Sequence, residues 1–223
     1  MSLHKASFTD AGSRILEAAG EIFAEEGFRR ATVRKICARA GVNVSLVNYH
    51  FGDKEGLYLA VLTHFRQRSL EKHPPNLGVD ESSPPEEKLR AFVRSFLFRI
   101  LGQGEFSWFG KLFVREIMEP TKAFDVMVDE AIRPSYSLLM SIVAGVVGHD
   151  TDEFTMRLCT ASIVAQCLYY RSSRSVITRI IGRDHFTIEE IEQIASHITR
   201  FSLEAMRVCY DAEKTTGSRN REG

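Results

Sequence analysis

The chain is expected to be all-α, with a small N-terminal three-helix domain built on a helix-turn-helix and a larger helical domain after it. Three observations predict this. Apolar residues recur at helical spacing through almost every segment. No convincing run alternates as a half-buried strand does, and no internal repeat is present. Finally, Pro74, Pro75, Pro84 and Pro85 flank a polar run that no regular element can cross. The expected domains are therefore residues 1–73 and 86–213.

Taken in order, Thr9 caps a first helix whose stripe is Ile15, Ala18, Ala19, Ile22 and Phe23, and Gly27 ends it. Arg29 and Arg30 fall in the connection. Thr32 caps a second helix with Val33, Ile36, Cys37 and Ala40 on one face, and Gly41 stops it. Asn43 or Ser45 caps a third helix that runs to Phe51. A glycine turn between two short helices is the helix-turn-helix pattern. Asp53 caps a fourth helix with Leu57, Val61, Leu62 and Phe65 facing the core.

Beyond the proline-rich segment, Leu89, Phe92, Val93, Phe96, Leu97, Ile100 and Leu101 form a helical stripe. A helix over 107–118 is stopped by Pro120, and 122–147 is periodic with a kink or split at Pro134. Asp152 caps a helix carrying Leu158, Ala161, Val164 and Leu168. Residues 171–183 read as a basic, irregular connection with a short helix at 176–181. Thr187 and Glu190 make a capping box. The last helix presents Ile191, Ile194, Ala195, Ile198, Ser202 and Ala205 on one face, and a polar, disordered tail follows from Lys214.

Composition narrows the function. The 223 residues hold 29 Lys+Arg and 29 Asp+Glu. A neutral balance argues against a general nucleic-acid coat protein and fits one basic module in a balanced remainder. No stretch approaches the roughly 20 apolar residues that span a bilayer. The N-terminus lacks the apolar core of a signal peptide, so a cytoplasmic location is expected. The four cysteines, Cys37, Cys159, Cys167 and Cys209, are widely spaced without a Cys-x-x-Cys and read as small buried hydrophobes.

The third helix carries the chemistry. Val42, Val47 and Phe51 can face inward, leaving Val44, Ser45, Leu46, Asn48, Tyr49 and His50 largely outward. A solvated face would show Glu and Lys there; small, aromatic and hydrogen-bonding groups suit a DNA groove. From residue 28 to 54, Arg29, Arg30, Arg34, Lys35, Arg39 and Lys54 face one anion, Asp53, an excess of five. That is an electrostatic footprint for phosphate. Lys54 stands in the first turn of its helix, where the dipole disfavours a cation, which implies an anionic partner.

Enzyme signatures are missing. There is no His-Glu-x-x-His, no Glu-x-x-His pair for a di-metal bundle, no Gly-x-Ser-x-Gly and no phosphate-binding glycine loop. His149, Asp150 and Asp152 read as loop polarity rather than a metal site. No catalytic residue, metal or cofactor is expected. The dense aromatics of the middle helices are mostly core. Even so, Phe92, Phe96, Trp108, Phe109 and Phe113, with Glu105, Glu116 and Tyr136, could line an apolar small-molecule cavity. Tyr169, Tyr170 and Arg171 form a further candidate patch, read first as dimer or core packing.

The run AGVNVSLVNYHFGDKEGLYLAVL resembles the signature of TetR-type transcriptional regulators through Ala40, Gly41, Val42, Ser45, Val47, Tyr49, His50, Phe51, Lys54, Glu55 and Leu57. Asn48 stands where that pattern usually has a first tyrosine, which leaves Tyr49 to take its phosphate contact. The runs EIMEPTKAFDVMVDEAIRP and IVAQCLYYRSSRSV resemble the CecR-like subgroup, named for control of sensitivity to cefoperazone and chloramphenicol. The resemblance implies a repressor role: a homodimer on a palindromic double-stranded operator, released by a small apolar effector. DNA would be held by Thr32, Arg34, Val44, Ser45, Leu46, Asn48, Tyr49, His50 and Lys54, and the effector by Phe92, Phe96, Trp108, Phe109, Phe113, Glu116 and Tyr136. The dimer would form through the last two helices, residues 152–173 and 187–210. Two other readings stay open, a DNA-organising protein without an effector and a helical enzyme or carrier for an apolar molecule.

Overall fold

A computed structural model describes residues 10–103, 107–148, 150–182 and 185–219, with side chains described up to residue 208. The expected Thr9 cap, Glu105 and His149, and the side chain of Cys209, lie outside the described residues. Every regular element among the described residues is helical: α1 Asp10–Arg30, α2 Val33–Ala40, α3 Val44–Phe51, α4 Lys54–Lys72, α5 Pro85–Leu101, α6 Phe109–Met118, α7 Phe124–Met127, α8 Arg133–Val147, α9 Glu153–Ser172, α10 Arg174–Ile181 and α11 Ile188–Arg219. None of these helices is long and apolar enough to cross a membrane. The chain divides into two compact units, residues 1–68 with 105–128 and residues 69–104 with 129–223.

The first unit packs around α1. Ile15, Leu16, Ile22 and Phe23 are fully buried and meet Ile36 of α2, Val47 of α3, Leu57, Val61 and Phe65 of α4 and Leu112 of α6. Each such side chain contributes about 1.5–3 kcal/mol on leaving water. Trp108, which precedes α6, lies on α1 at Gly20: a Cβ there would fall 1.9 Å from the indole. Its ring also meets Phe65 edge-on, with centroids 4.7 Å apart. The first helical run breaks at Gly27 as expected, where the backbone is non-helical at φ 80° and ψ 164°, and a further short helical stretch follows to Arg30.

In the second unit α5 is surrounded by α8, α9 and α11. Leu89, Val93 and Leu97 of α5 pack with Leu139 and Val143 of α8, Ile163 of α9, and Ile191 and Ile198 of α11. Before α8 the chain makes a π-helical turn at Val128–Ile132, and Pro134 sits in the first turn of α8. A proline there has no N–H to continue the preceding ladder, so the break expected at Pro134 takes the form of a register change just before it. The last helix continues to Arg219, past the point where an irregular tail was expected.

Candidate nucleic-acid interface

Local hydrogen bonds set the helix-turn-helix. The Lys35 amide donates to the Thr32 hydroxyl at 3.2 Å, opening α2. Gly41 is left-handed, at φ 64° and ψ 39°, and its N–H donates to the Cys37 carbonyl. A side chain at that φ is strained, which is why glycine is favoured there. Asn43 then caps α3, its carbonyl oxygen accepting from the Ser45 amide at 2.9 Å, and Asp53 accepts from the Gly56 amide at 2.8 Å to open α4. Each cap is worth about 1 kcal/mol.

Val47 is the anchor of α3, fully buried, with Val42 and Phe51 half-buried against the same core. Val44, Ser45, Asn48 and Tyr49 are exposed, Tyr49 by 82%. Leu46 departs from the expectation. It is half-buried and packs on the core, because the short helix needs a second apolar contact beside Val47. His50 is half-buried, and Tyr49 meets its ring edge-on at 5.0 Å.

The basic excess is smaller in space than in sequence. Lys35 pairs with Glu26, and Arg39 reaches Glu21 at 3.1 Å and Glu25 at 3.8 Å. All three acids come from α1, outside the window of the charge count. Exposed pairs of this kind are worth little to stability, but they cancel local field. Arg34 and Arg29 remain exposed, with no carboxylate partner among the described residues. Lys54 has intramolecular company too: its ammonium donates to the carbonyl of Ala31 at 3.0 Å and of Arg29 at 3.5 Å, and lies 4.5 Å from the Phe28 ring centre. The partner inferred for this first-turn cation is, within the chain, a set of carbonyl oxygens at the end of α1.

The residues expected around an effector fall in both units. Trp108, Phe109, Phe113 and Glu116 lie in the first, and Phe92, Phe96 and Tyr136 in the second. Phe92 and Phe96 stack at 6.2 Å. Glu116 is fully buried, and its carboxylate accepts from the Tyr58 hydroxyl and from both the amide and hydroxyl of Thr121. An open groove of about 740 Å³ in the second unit is walled by Pro75, Val79, Pro85, Leu138 and Ile142; none of the expected effector residues lines it. Cys37 and Cys167 are buried, and desolvation raises both thiols, Cys167 to about 12, so neither is a ready thiolate.

Most of the apolar stripe of α11 expected at a dimer interface turns inward. Ile191, Ala195 and Ile198 are buried in the core of the unit, Ser202 is buried and accepts from Gln166 of α9, Ile194 is half-buried, and Ala205 is exposed. A different set is exposed: Phe154, Leu158 and Tyr169 on α9, and Ile188, Phe201 and Val208 on α11. Sequence periodicity finds apolar faces, but it does not say which one an internal neighbour covers.

Comparison with known families decides the class. Residues 15–61 match the model for bacterial regulatory proteins of the tetR family. Residues 85–206, more than half of the chain, match the C-terminal domain of the HTH-type transcriptional dual regulator CecR. The chain belongs to the TetR family of transcriptional regulators, with a CecR-type C-terminal domain. Among TetR-family relatives, the HTH-type transcriptional dual regulator CecR of Shigella flexneri is 29% identical over 198 residues, 85% of this chain and 88% of that protein. The HTH-type transcriptional repressor AcnR of Corynebacterium glutamicum is 40% identical over 63 residues, 28% of this chain and 34% of AcnR. A TetR-like regulator from Rhodococcus sp. RHA1 shares the fold, with a TM-score of 0.65 at 18% identity, covering 87% of this chain and 96% of that one.

Proposed function

We propose that this TetR-family protein binds a palindromic DNA operator as a homodimer in the cytoplasm, represses transcription there, and is released by a small apolar effector. One observation carries the DNA-binding part: the outward face of α3, with Val44, Ser45, Asn48 and Tyr49, has no acidic side chain and is held by caps at both ends. In this reading Val44, Ser45, Leu46 and Asn48 meet base edges, while Thr32, Arg34, Tyr49, His50 and Lys54 hold phosphates. Leu46, half-buried, has only its outer edge to offer.

A single helix-turn-helix buries too little surface to be specific, so two copies read half-sites about one helical turn apart or somewhat more. The exposed apolar residues of α9 and α11 support dimerisation through those helices. An effector acts by favouring a half-site spacing that does not fit the DNA. Repression follows the name of AcnR, whose match covers 63 residues of this chain.

Selection of bound fragments from genomic DNA, followed by footprinting, tests the proposal. Two symmetric protected half-sites are expected. A single protected half-site, or protection without sequence preference, overturns the operator reading. Trp108 is the only tryptophan, so its emission reports on the effector: a panel of hydrophobic compounds should contain some that shift it and weaken DNA binding together.

A further inference from the structure

Arg171 lies in the last turn of α9, on the face that also buries Thr160, Ile163 and Cys167, and only 8% of it is exposed. Its Nη1 is the one buried side-chain polar atom among the described residues with no hydrogen-bond partner. The other buried polar groups of the same unit are served. Ser95 donates to the His73 carbonyl, Thr151 to Val147, Thr160 to Met156 and Thr199 to Ala195, and Ser202 accepts from Gln166. A helix C-terminus favours a cation, but that attraction is weaker than the cost of keeping an unpaired charge from water. Burial, and then the like charge of Arg174, hold the guanidinium down to about 10. Among the described residues, no carboxylate reaches this position.

We infer that Arg171 anchors a binding site in the helical unit for a monoanionic organic acid, one carboxylate on an apolar body. The guanidinium fork matches the two oxygens of a carboxylate. Arg171 itself compensates one negative charge, and a second would have only the half-buried Arg174 to face. The body is apolar because this end of the bundle is. The Gln103 amide donates to the Phe186 carbonyl at 2.8 Å, and the Phe186 ring meets Tyr170 edge-on at 5.9 Å, so the ends of α5 and α9 converge there on the segment before α11. Ile163, Cys167 and Ile177 are buried in the same core. That the acid is the effector rests on the function proposed above; that it binds does not.

The test uses the full chain and two probes of equal body, octanoate and 1-octanol, with binding followed by equilibrium dialysis and thermal unfolding. Octanoate should bind the parent more tightly than octanol does. Arg171→Met should weaken octanoate roughly ten- to a hundredfold and leave octanol unchanged. With no acid present, Arg171→Met should unfold at the same or a higher temperature, since an unpaired charge has been replaced by an apolar chain. Arg171→Lys keeps the charge without the fork and should bind octanoate with intermediate affinity; it carries the test if the Met variant does not fold. Equal binding of octanoate and octanol to the parent, or undiminished octanoate binding in the variants, overturns the site. DNA release is scored separately. Octanoate bound through Arg171 without release of DNA keeps the site and removes the acid as effector. Release by neutral compounds alone, undiminished in Arg171→Met, keeps the effector and removes the site.

Discussion

The hydroxyl of Tyr58 donates a 2.7 Å hydrogen bond to the carboxylate of Glu116, joining residues 58 apart in the chain. The other carboxylate oxygen accepts from the Thr121 amide at 2.8 Å and the Thr121 hydroxyl at 2.9 Å. Glu116 is fully buried, and a carboxylate is tolerated out of water only when its lone pairs are served in this way. The bond ties α6 to α4 within the helix-turn-helix unit.

Tyr58→Phe should therefore cost about 1–3 kcal/mol, because a buried acceptor is left short of a donor. A pH signature accompanies it. Burial first, then the hydrogen bond and charge of Glu116, raise the Tyr58 phenol well above its ordinary range. The folded state then keeps a proton that the unfolded state releases above pH about 10. The stability this adds is complete below that pH and declines as pH rises past it. Denaturant melts across pH 7–11 should show a shallower alkaline loss in Tyr58→Phe than in the parent. Parallel curves would mean that another group governs the alkaline limb.

Lys54→Ala separates two roles. Loss of its donation to the Ala31 carbonyl should lower stability by about 0.5–1.5 kcal/mol. If the same ammonium also reaches a phosphate, as proposed, all DNA sites should weaken together. The salt slope of binding should then fall by about one for each phosphate no longer neutralised, hence by about two for a dimer. A lower melting point with an unchanged slope would make Lys54 a strut between α1 and α4 and nothing more.

Asn48→Ala should change preference between DNA sites, by about 1–3 kcal/mol per half-site if the amide makes a paired contact to adenine. Asn48 is exposed, so the substitution should leave the fold intact, within about 0.5 kcal/mol. Titrations on operator and on random duplex over a salt series decide the matter. An equal loss on both would place Asn48 on the backbone and move the reading of bases elsewhere on α3.

Leu158→Glu and Phe201→Glu should each convert the protein from dimer to monomer, because both side chains are more than half exposed on α9 and α11 and each copy would bring the same charge to the interface. Sedimentation at micromolar concentration is the measurement. A parent that sediments as a monomer would remove the two-half-site account of DNA binding as well.

What the sequence determined by itself is what short-range chemistry determines. The caps at Thr32 and Asp152 and the reciprocal pair of Thr187 and Glu190 involve groups three residues apart, so spacing alone locates them, and it narrows the cap of α3 to Asn43 or Ser45, of which the structure uses Asn43. Gly41 was legible for the same reason, since one backbone angle decides it. The inward anchor Val47 and the outward Asn48 and Tyr49 follow from the period of one short helix. Tertiary structure alone decided the rest, because every part of it requires knowing which faces meet. Glu21, Glu25 and Glu26 neutralise Lys35 and Arg39 only once α1 lies beside α2. Lys54 finds carbonyls 23 and 25 residues earlier in the chain. The stripe of α11 looks like an interface until α5 covers it. Arg171 continues the spacing of Ile163 and Cys167 on a buried face, and only burial without a partner distinguishes it from an ordinary cation at a helix end. A period tells which residues share a face; it carries no information about what that face will touch.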